Sequence, residues 1–167
     1  MTGITKYFAL DTTDRKILSV LQSDGHISMS ALSDAIGLSL SACHRRVKIL
    51  EANGVIRSYS AQLDRRALGL ELEVFIEIKL TSQRQQEVAA FEEGIAKMPE
   101  VLECHMISGE FDYLMRVAAT NSADYEQLYR ERLASIPSVQ QMKTLLSLSA
   151  VKPFRGYHFS QTADTSG

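Results

Sequence analysis

Hydrophobic positions in the first third of the chain recur at helical spacing, which predicts short helices. Asp11 can cap the first of them, and Asp14 adds negative charge to its first turn, where the helix dipole favours it. The segment ends near Ser23-Asp24-Gly25. Its apolar positions fall on one face at Ile17, Leu18 and Leu21.

Two further helices are predicted to follow closely. Ser28 can cap the second helix and Gly37 can end it, while Ser39 can cap a third that runs to about Asn53-Gly54. The apolar positions of the second helix are Met29, Leu32 and Ile36. Two short helices joined by so tight a turn are typical of a helix-turn-helix, a common DNA-binding arrangement.

The third predicted helix has one apolar and one polar face. Cys43, Val47 and Leu50 share a side, and Arg46 lies at the flank of this stripe. The opposite side carries Ser41, His44, Arg45 and Lys48. A plain solvated face is the ordinary interpretation of such a pattern, but its position as second helix of a tight pair favours insertion into a DNA major groove.

This interpretation assigns contacts to individual residues. Ser41, His44 and Arg45 are predicted to contact base edges, because hydroxyl, imidazole and guanidinium groups can bond them. Phosphate contacts are predicted for Arg46, Lys48 and Arg57.

The segment after Gly54 is rich in residues that favour β-structure. Residues 55–63 predict a short wing or β-ribbon, in which Arg57 and Tyr59 can touch the DNA backbone. A plain connecting strand is an equal alternative for these two residues.

The second half of the chain begins with a clear alternation. Leu72, Val74, Ile76, Ile78 and Leu80 share one side of a predicted strand. The other side carries Glu73, Phe75, Glu77 and Lys79.

Further elements follow in a regular order. A helix is predicted over 83–97, strands over 101–107 and 113–119, a helix capped by Ser122, and a last strand over 139–151. The order βαββαβ is that of the ferredoxin-like fold, in which helices cover one face of an antiparallel sheet. The fold class is therefore α+β, and the uncovered face, with Phe75 on it, is predicted to pack against a second copy.

Charge is unevenly divided between the two halves. Residues 1–63 contain seven basic and five acidic residues, and residues 64–167 contain eleven basic and fifteen acidic ones. A mildly basic first part on an acidic second part is expected when only the first part meets phosphate. No apolar run approaches the length of a membrane span and no signal peptide is evident, so a cytoplasmic protein is expected.

Residue patterns argue against a metal site and against catalysis. Cys43 and His44, like Cys104 and His105, are adjacent and point in different directions, which does not suit a shared ion. The sequence has no glycine-rich phosphate loop and no nucleophile elbow. An enzyme on a ferredoxin-like fold and a stand-alone effector-binding module remain as alternatives, and the basic third helix disfavours the latter.

The chain resembles the Lrp/AsnC (leucine-responsive and asparagine regulator) family over residues 10–155. The resemblance is carried by ordered motifs. They are Leu10-Asp11 with Asp14 and Ile17-Leu18, Gly37-Leu38-Ser39, Arg46-Val47 with Leu50-Glu51, Gly54-Val55-Ile56, and Gly109-Glu110-Phe111-Asp112-Tyr113. It implies a sequence-specific transcriptional regulator with no catalytic site and no cofactor other than an amino-acid-like effector. It also implies homodimers formed through the sheets, which assemble into octamers or other higher oligomers.

The same resemblance implies effector binding near the loop from Gly109 to Tyr113, at contacts between dimers. Asp112 can pair with the effector ammonium, and backbone N–H groups around Gly109 can bind its carboxylate. The full predicted set is Met106, Ser108, Gly109, Glu110, Phe111, Asp112 and Tyr113. Taken without the family, the loop is interpreted as an ordinary tight β-turn.

These predictions divide the chain into four parts. Residues 1–63 form a DNA-binding domain, 64–72 a linker with a hinge at 64–70, 73–155 a domain for effector binding and oligomerisation, and 156–167 a tail that is disordered from Ser160. The predicted partners are an amino-acid effector and double-stranded DNA with a pseudo-palindromic site, because a two-fold protein favours two-fold DNA.

Overall fold

The structure, a computed structural model, describes residues 8–159, so the tail predicted to be disordered from Ser160 lies outside the described residues. The described residues form two compact units. One contains the residues up to Gln62 together with those from Pro153 onward, and the other is Leu63–Lys152. In this division, residues 153–155 of the domain predicted over 73–155 fall in the first unit.

The first unit contains three helices, as predicted. They are α1 (Thr12–Ser23), α2 (Met29–Ile36) and α3 (Leu40–Ala52). Asp11, Ser28 and Ser39 cap them, each accepting a hydrogen bond from a backbone N–H in the first turn. Gly37 ends α2 in the left-handed region at φ 71°, where a glycine has no Cβ to clash.

A small apolar core joins these helices. Ile17 from α1 and Leu32 from α2 pack against the α3 stripe of Cys43, Val47 and Leu50. This confirms the predicted apolar side of α3. Because that side is buried, the opposite side of α3 is left on the surface.

The wing predicted over residues 55–63 does not form, since none of these residues is in a strand. The backbone N–H groups of Val55 and Ile56 both donate to the carbonyl of Leu50, at 2.9 and 3.2 Å. Both side chains pack against the core. These residues complete the end of α3, and the exposed residues after them pair with no second strand.

The C-terminal segment of the described chain belongs to the first unit. Gln22 donates from Nε2 to the carbonyl of Tyr157 at 2.7 Å and accepts from its N–H at 2.8 Å. Gly156 has φ 114°, and a Cβ there would meet the Gln22 side chain at 2.2 Å. Glycine is therefore the residue that lets this backbone approach α1.

The second unit has the predicted order of elements. They are β1 (Leu72–Leu80), α4 (Gln85–Ala96), β2 (Val101–Met106), β3 (Tyr113–Ala119), α5 (Ser122–Glu131), a 3₁₀ turn (Leu133–Ser135) and β4 (Val139–Leu146). The strands form an antiparallel sheet in the order β2-β3-β1-β4, which confirms the ferredoxin-like βαββαβ fold.

One face of this sheet is the core of the unit. Val74, Ile76, Ile78 and Leu80 are buried at alternate positions of β1, as predicted. Phe91 and Ile95 of α4 and Leu128 of α5 belong to the same core. The helices thus cover this face and leave the opposite one, with Phe75, uncovered.

Several boundaries differ from the sequence-based prediction, and two of the differences have a clear physical reason. Asn121, not Ser122, caps α5, because its side chain accepts from the N–H groups of both Ala123 and Asp124. The last strand ends at Leu146 and not at Val151. Leu146 pairs with Val74 and the N–H of Ser147 with the carbonyl of Glu73, so β4 has reached the beginning of β1.

The segment predicted as a hinge is a hydrogen-bonded turn attached to β1. Asp64 accepts from the N–H groups of Arg66 and Ala67, at 2.7 and 3.1 Å. Arg65 Nε lies 3.2 Å from Glu73 Oε2, and the Arg65 guanidinium also donates to the Leu70 carbonyl. Residues 64–70 therefore form an ordered part of the second unit.

Candidate functional site

The outward face of α3 is a polar, basic surface. Its exposed polar and basic residues are Ser41, His44, Arg45 and Lys48. They lie opposite the buried stripe, as predicted, and α3 is held in place by that stripe. A rigid helix with hydroxyl, imidazole, guanidinium and ammonium groups outward can reach both base edges and phosphates.

Lys48 already has a weak partner on this surface. Its Nζ lies 2.8 Å from Glu51 Oε2, and Glu51 Oε1 also accepts from the Tyr59 hydroxyl at 3.1 Å. The Lys48 side chain is 64% exposed, and exposed pairs of this kind contribute little. The ammonium can therefore exchange this carboxylate for a phosphate. Arg57 is also exposed, beyond the end of α3.

Arg46 is placed differently from the other basic residues of α3. Its Nη1 lies 2.7 Å from Asp11 Oδ2 and 2.8 Å from Asp14 Oδ1. These bonds raise the pKa of Arg46, with Asp11 as the largest cause. The predicted phosphate contact is therefore not supported, because the guanidinium is bound to α1 instead.

The loop between β2 and β3 divides into an exposed and a buried part. The exposed residues are Met106, Ser108, Gly109 and Glu110, and the buried residues are Phe111, Asp112 and Tyr113. Gly109 has φ 152°, a conformation that L side chains rarely adopt. The seven predicted effector residues are thus close together in sequence but do not share one surface.

Asp112 is a structural carboxylate. It is 7% exposed, and it accepts from the Leu80 N–H at 2.8 Å and from Gln83 Nε2 at 2.7 Å. Lys79 Nζ lies 3.7 Å from it. The pKa of Asp112 is lowered, first by the bond from Leu80 and then by Gln83 and Lys79, against the effect of burial. The predicted contact with an effector ammonium is not supported, because the carboxylate is buried and lies against the Lys79 ammonium of the same chain.

The side chains of Phe111 and Tyr113 are also occupied within the unit. The Tyr113 ring packs on Phe91 at 4.5 Å between centroids, and its hydroxyl donates to Glu92 Oε1 at 2.8 Å. Burial and this bond to Glu92 raise the Tyr113 pKa. Phe111 is buried with Lys143 Nζ 5.6 Å from its ring centre. Neither ring is presented to a ligand at the loop surface.

Two residues of this region were missed by sequence reasoning. Lys79 donates to the carbonyl of Glu110 at 2.6 Å, and Gln83 anchors Asp112. Alternation placed Lys79 on the outer face of β1, but only the pairing of β1 with β3 brings it to the loop. For Gln83, which precedes α4, the sequence offered no signal.

The uncovered face of the sheet carries a network of charges around Phe75. Arg116 lies 2.7 Å from Glu103 and 3.5 Å from Glu73, and Lys143 lies 3.0 Å from Glu77. These pairs neutralise charges that a second copy would otherwise have to meet. Packing of this face against a partner remains a prediction.

Several other features bear on chemistry. Among residues 8–159, no group of three or more His, Cys, Asp or Glu side chains could hold a metal ion. Cys43 is buried in the core, and its pKa is raised by burial, while burial and then Glu92 raise that of Cys104 to about 11. The helices within the described part of the chain are all too short or too polar to cross a bilayer.

Comparison with known proteins assigns both parts of the chain. The family model described as the Lrp/AsnC ligand binding domain matches residues 73–157, and that of a winged helix-turn-helix DNA-binding domain matches residues 10–57. The chain belongs to the Lrp/AsnC family of transcriptional regulators. Membership of Lrp/AsnC confirms the predicted regulator with a helix-turn-helix and excludes the enzyme alternative, since the family is one of regulators.

Individual Lrp/AsnC members are similar over most of their length. The chain is 38% identical over 143 residues to the proline dehydrogenase transcriptional activator of Rhizobium radiobacter, covering 86% of this chain and 92% of that protein. It is also 38% identical to the leucine-responsive regulatory protein of Escherichia coli, covering 86% of this chain and 87% of that one. A transcriptional regulator of Neisseria meningitidis, solved as an L-Met complex, has a TM-score of 0.82 at 35% identity and covers 86% of this chain and 93% of its own.

Proposed function

We propose that this Lrp/AsnC regulator binds a pseudo-palindromic DNA site as a homo-oligomer and that an amino-acid effector alters this binding. The observation that carries the proposal is the surface of α3. Ser41, His44, Arg45 and Lys48 are exposed together on a helix whose opposite side is fixed in a core. The proposal requires no cofactor besides the effector, and a regulator that acts on DNA in this way works in the cytoplasm.

The assignment of contacts follows from the chemistry of the exposed groups. Ser41, His44 and Arg45 are proposed to contact bases, with Arg45 suited to bidentate recognition of guanine. Lys48 and Arg57 are proposed to contact phosphates. In a two-fold dimer, two copies of α3 meet successive major grooves, which favours a site with two-fold symmetry.

Dimerisation is proposed to use the uncovered sheet face around Phe75. That face is the one the helices leave open, and its charges are paired within the chain. Assembly of dimers into octamers or other higher oligomers is proposed by analogy with the family. Sedimentation analysis of the purified protein measures both steps.

The effector is proposed to bind at the exposed part of the β2–β3 loop. Relatives support an amino acid, since one is named leucine-responsive and another was solved with L-Met. Because the Asp112 carboxylate is occupied, Glu110 is the exposed carboxylate of the loop that can pair with the ammonium. Backbone N–H groups at Ser108 and Gly109 can bind the carboxylate, and Met106, 63% exposed, can contact an apolar side chain.

A DNA-binding experiment tests the first half of the proposal. Duplexes selected from a random library by the purified protein are measured over a salt series for the wild type and for Lys48→Ala, Arg45→Ala and the control Arg130→Ala on α5. Lys48→Ala should weaken all duplexes alike and lower the salt slope by about 0.9 per lost phosphate contact. Arg45→Ala should weaken base preference by about 1–3 kcal/mol. Equal effects from Arg130→Ala, or no selective duplex at low salt, would contradict the proposal.

An effector experiment tests the second half. Binding of each of the twenty amino acids is measured by calorimetry, and their effect on DNA affinity is measured separately. Glu110→Gln should weaken binding of the active amino acid, whereas Glu131→Gln on α5 removes the same charge far along the chain and should not. A response unchanged by Glu110→Gln would remove Glu110 from the proposed site, and the absence of any response would contradict the effector half.

A further inference from the structure

We infer that Arg46 is a positioning residue for DNA recognition. By binding Asp11 and Asp14 at the start of α1, it fixes the rotation of α3 about its axis and so the direction in which Arg45 and its neighbours face the DNA. The inference rests on the proposed use of α3 as the recognition helix, and it assigns to Arg46 a role other than a phosphate contact.

The two carboxylates are shared between two tasks. Asp11 uses Oδ1 to accept from the Asp14 N–H at 2.8 Å, and Asp14 uses Oδ2 to accept from the Asp11 N–H at 3.3 Å. The remaining oxygens, Asp11 Oδ2 and Asp14 Oδ1, both accept from Arg46 Nη1. The capping box of α1 and the anchor of α3 are therefore one network, in which every carboxylate oxygen accepts one hydrogen bond and the two oxygens outside the capping box share Arg46 Nη1.

The location of Arg46 on α3 makes this network sensitive to rotation. Arg46 lies at the edge between the buried stripe with Val47 and the exposed face with Arg45. The apolar stripe contacts the core through non-directional packing, which tolerates small rotations. Charged hydrogen bonds are directional, so a guanidinium at the edge of the stripe defines the angle more narrowly than the core does.

Burial indicates that Arg46 stays in this network when DNA binds. The Arg46 side chain is 30% exposed and that of Asp14 is 10% exposed. Moving the guanidinium to a phosphate would leave the Asp14 carboxylate largely buried without its cation, which is costly. Lys48 and Arg57 lie on the exposed surface, so they can bind a phosphate without leaving a buried carboxylate unpaired.

The test compares Arg46→Met, Asp14→Asn and the control Asp34→Asn, an exposed carboxylate on α2 of the same unit. DNA affinity is measured on the selected duplex over a salt series, at a temperature where circular dichroism shows each variant to be fully folded. A residue that only stabilises the fold would leave this affinity unchanged. If Arg46→Met does not fold, Arg46→Lys, which keeps one cationic group, is measured in its place.

The inference predicts that Arg46→Met and Asp14→Asn each lower affinity by about tenfold and that the double variant is no worse than either. The slope of affinity against salt stays at the wild-type value. The direction of the change in DNA affinity for Asp14→Asn is decisive, because removing a negative charge from a DNA-binding unit otherwise raises affinity. Asp34→Asn is expected to raise it slightly for this reason.

Two results would overturn the inference. One is a lower salt slope for Arg46→Met with unchanged or higher affinity for Asp14→Asn, which identifies Arg46 as a phosphate contact. The other is wild-type affinity for both folded variants. Failure of the wild type to bind any duplex would overturn the proposed function and this inference together, so the wild-type reference separates the two kinds of failure.

Discussion

The Asp112 carboxylate accepts a hydrogen bond from the backbone N–H of Leu80 at 2.8 Å, at the end of the first strand of the sheet. The N–H of Asp112 in turn donates to the carbonyl of Ile78 at 2.8 Å. The β2–β3 loop is thus fastened to β1 by bonds in both directions. An acidic residue in a turn motif serves here to complete the sheet, while its exposed neighbours in the loop remain available.

Replacement of Asp112 is expected to destabilise the second unit. Asp112→Ala leaves the Leu80 N–H and the Gln83 amide without an acceptor, which should lower the free energy of unfolding by about 2 kcal/mol. Urea unfolding followed by circular dichroism measures this loss. The exposed neighbour provides the control, since Glu110→Ala should stay within about 0.5 kcal/mol. Equal stability of the two variants would show that the Asp112 bonds contribute nothing.

Protonation of the Asp112 carboxylate should also contribute to the pH dependence of stability. The pKa of Asp112 is lowered from its ordinary 3.8 by the bonds from Leu80 and Gln83 and by Lys79. The stabilisation that the ionised Asp112 carboxylate gives to the folded state is therefore fully present above its ordinary pKa of 3.8. It is lost as the pH falls through the lower pKa of the folded state. Urea unfolding of the wild type and Asp112→Asn between pH 2 and 6 checks this. The variant should lose less stability on acidification, and parallel curves would contradict the assignment.

Replacement by alanine should change the stability of the first unit in opposite directions at two of its glycines. Gly37 has φ 71°, so Gly37→Ala places a side chain in the left-handed region at a cost of about 1–2 kcal/mol. Gly25 lies outside that region with its nearest neighbours 3.7 Å or more from an added Cβ. Gly25→Ala should therefore raise the free energy of unfolding by about 0.4–1 kcal/mol, because alanine lowers the conformational entropy of the unfolded chain. Thermal unfolding measures the melting temperature of both variants. A change in the same direction for both would contradict the argument from backbone conformation.

The contact between Gln22 and Tyr157 should be visible in amide exchange. Gln22→Ala removes the acceptor of the Tyr157 N–H and the donor to its carbonyl, so the Tyr157 amide should exchange faster. Hydrogen-exchange mass spectrometry or NMR measures the rate. Lys16→Ala, another exposed change on α1, should leave it unchanged. An unaltered rate in Gln22→Ala would indicate that the segment does not rest on α1 in solution.

Local signals in the sequence were sufficient for the helices and strands. Asp11, Ser28 and Ser39 cap helices because their side chains reach the next turn, and the β1 alternation follows from one-sided burial. The errors arise where longer-range pairing decides. The strand predicted to reach Val151 ends where it reaches the beginning of β1, and the predicted wing has no strand to pair with.

The roles of charged residues were harder to predict for the same reason. The flanking position of Arg46 was evident from its helix, but its partners come from another helix and depend on tertiary packing. For Asp112, the motif indicated the loop, but whether a turn carboxylate is exposed or buried depends on β1 and the residues after it. The exposed set on α3 was predictable because it needs only the periodicity of one helix.

The return of the chain to the first unit makes that unit discontinuous in sequence. Its described residues come from two stretches, up to Gln62 and from Pro153, with Leu63–Lys152 inserted between them. A chimaera that exchanges only the N-terminal stretch would therefore graft an incomplete piece and leave Gln22 without the backbone it binds. For this regulator the transferable unit includes both ends of the described chain.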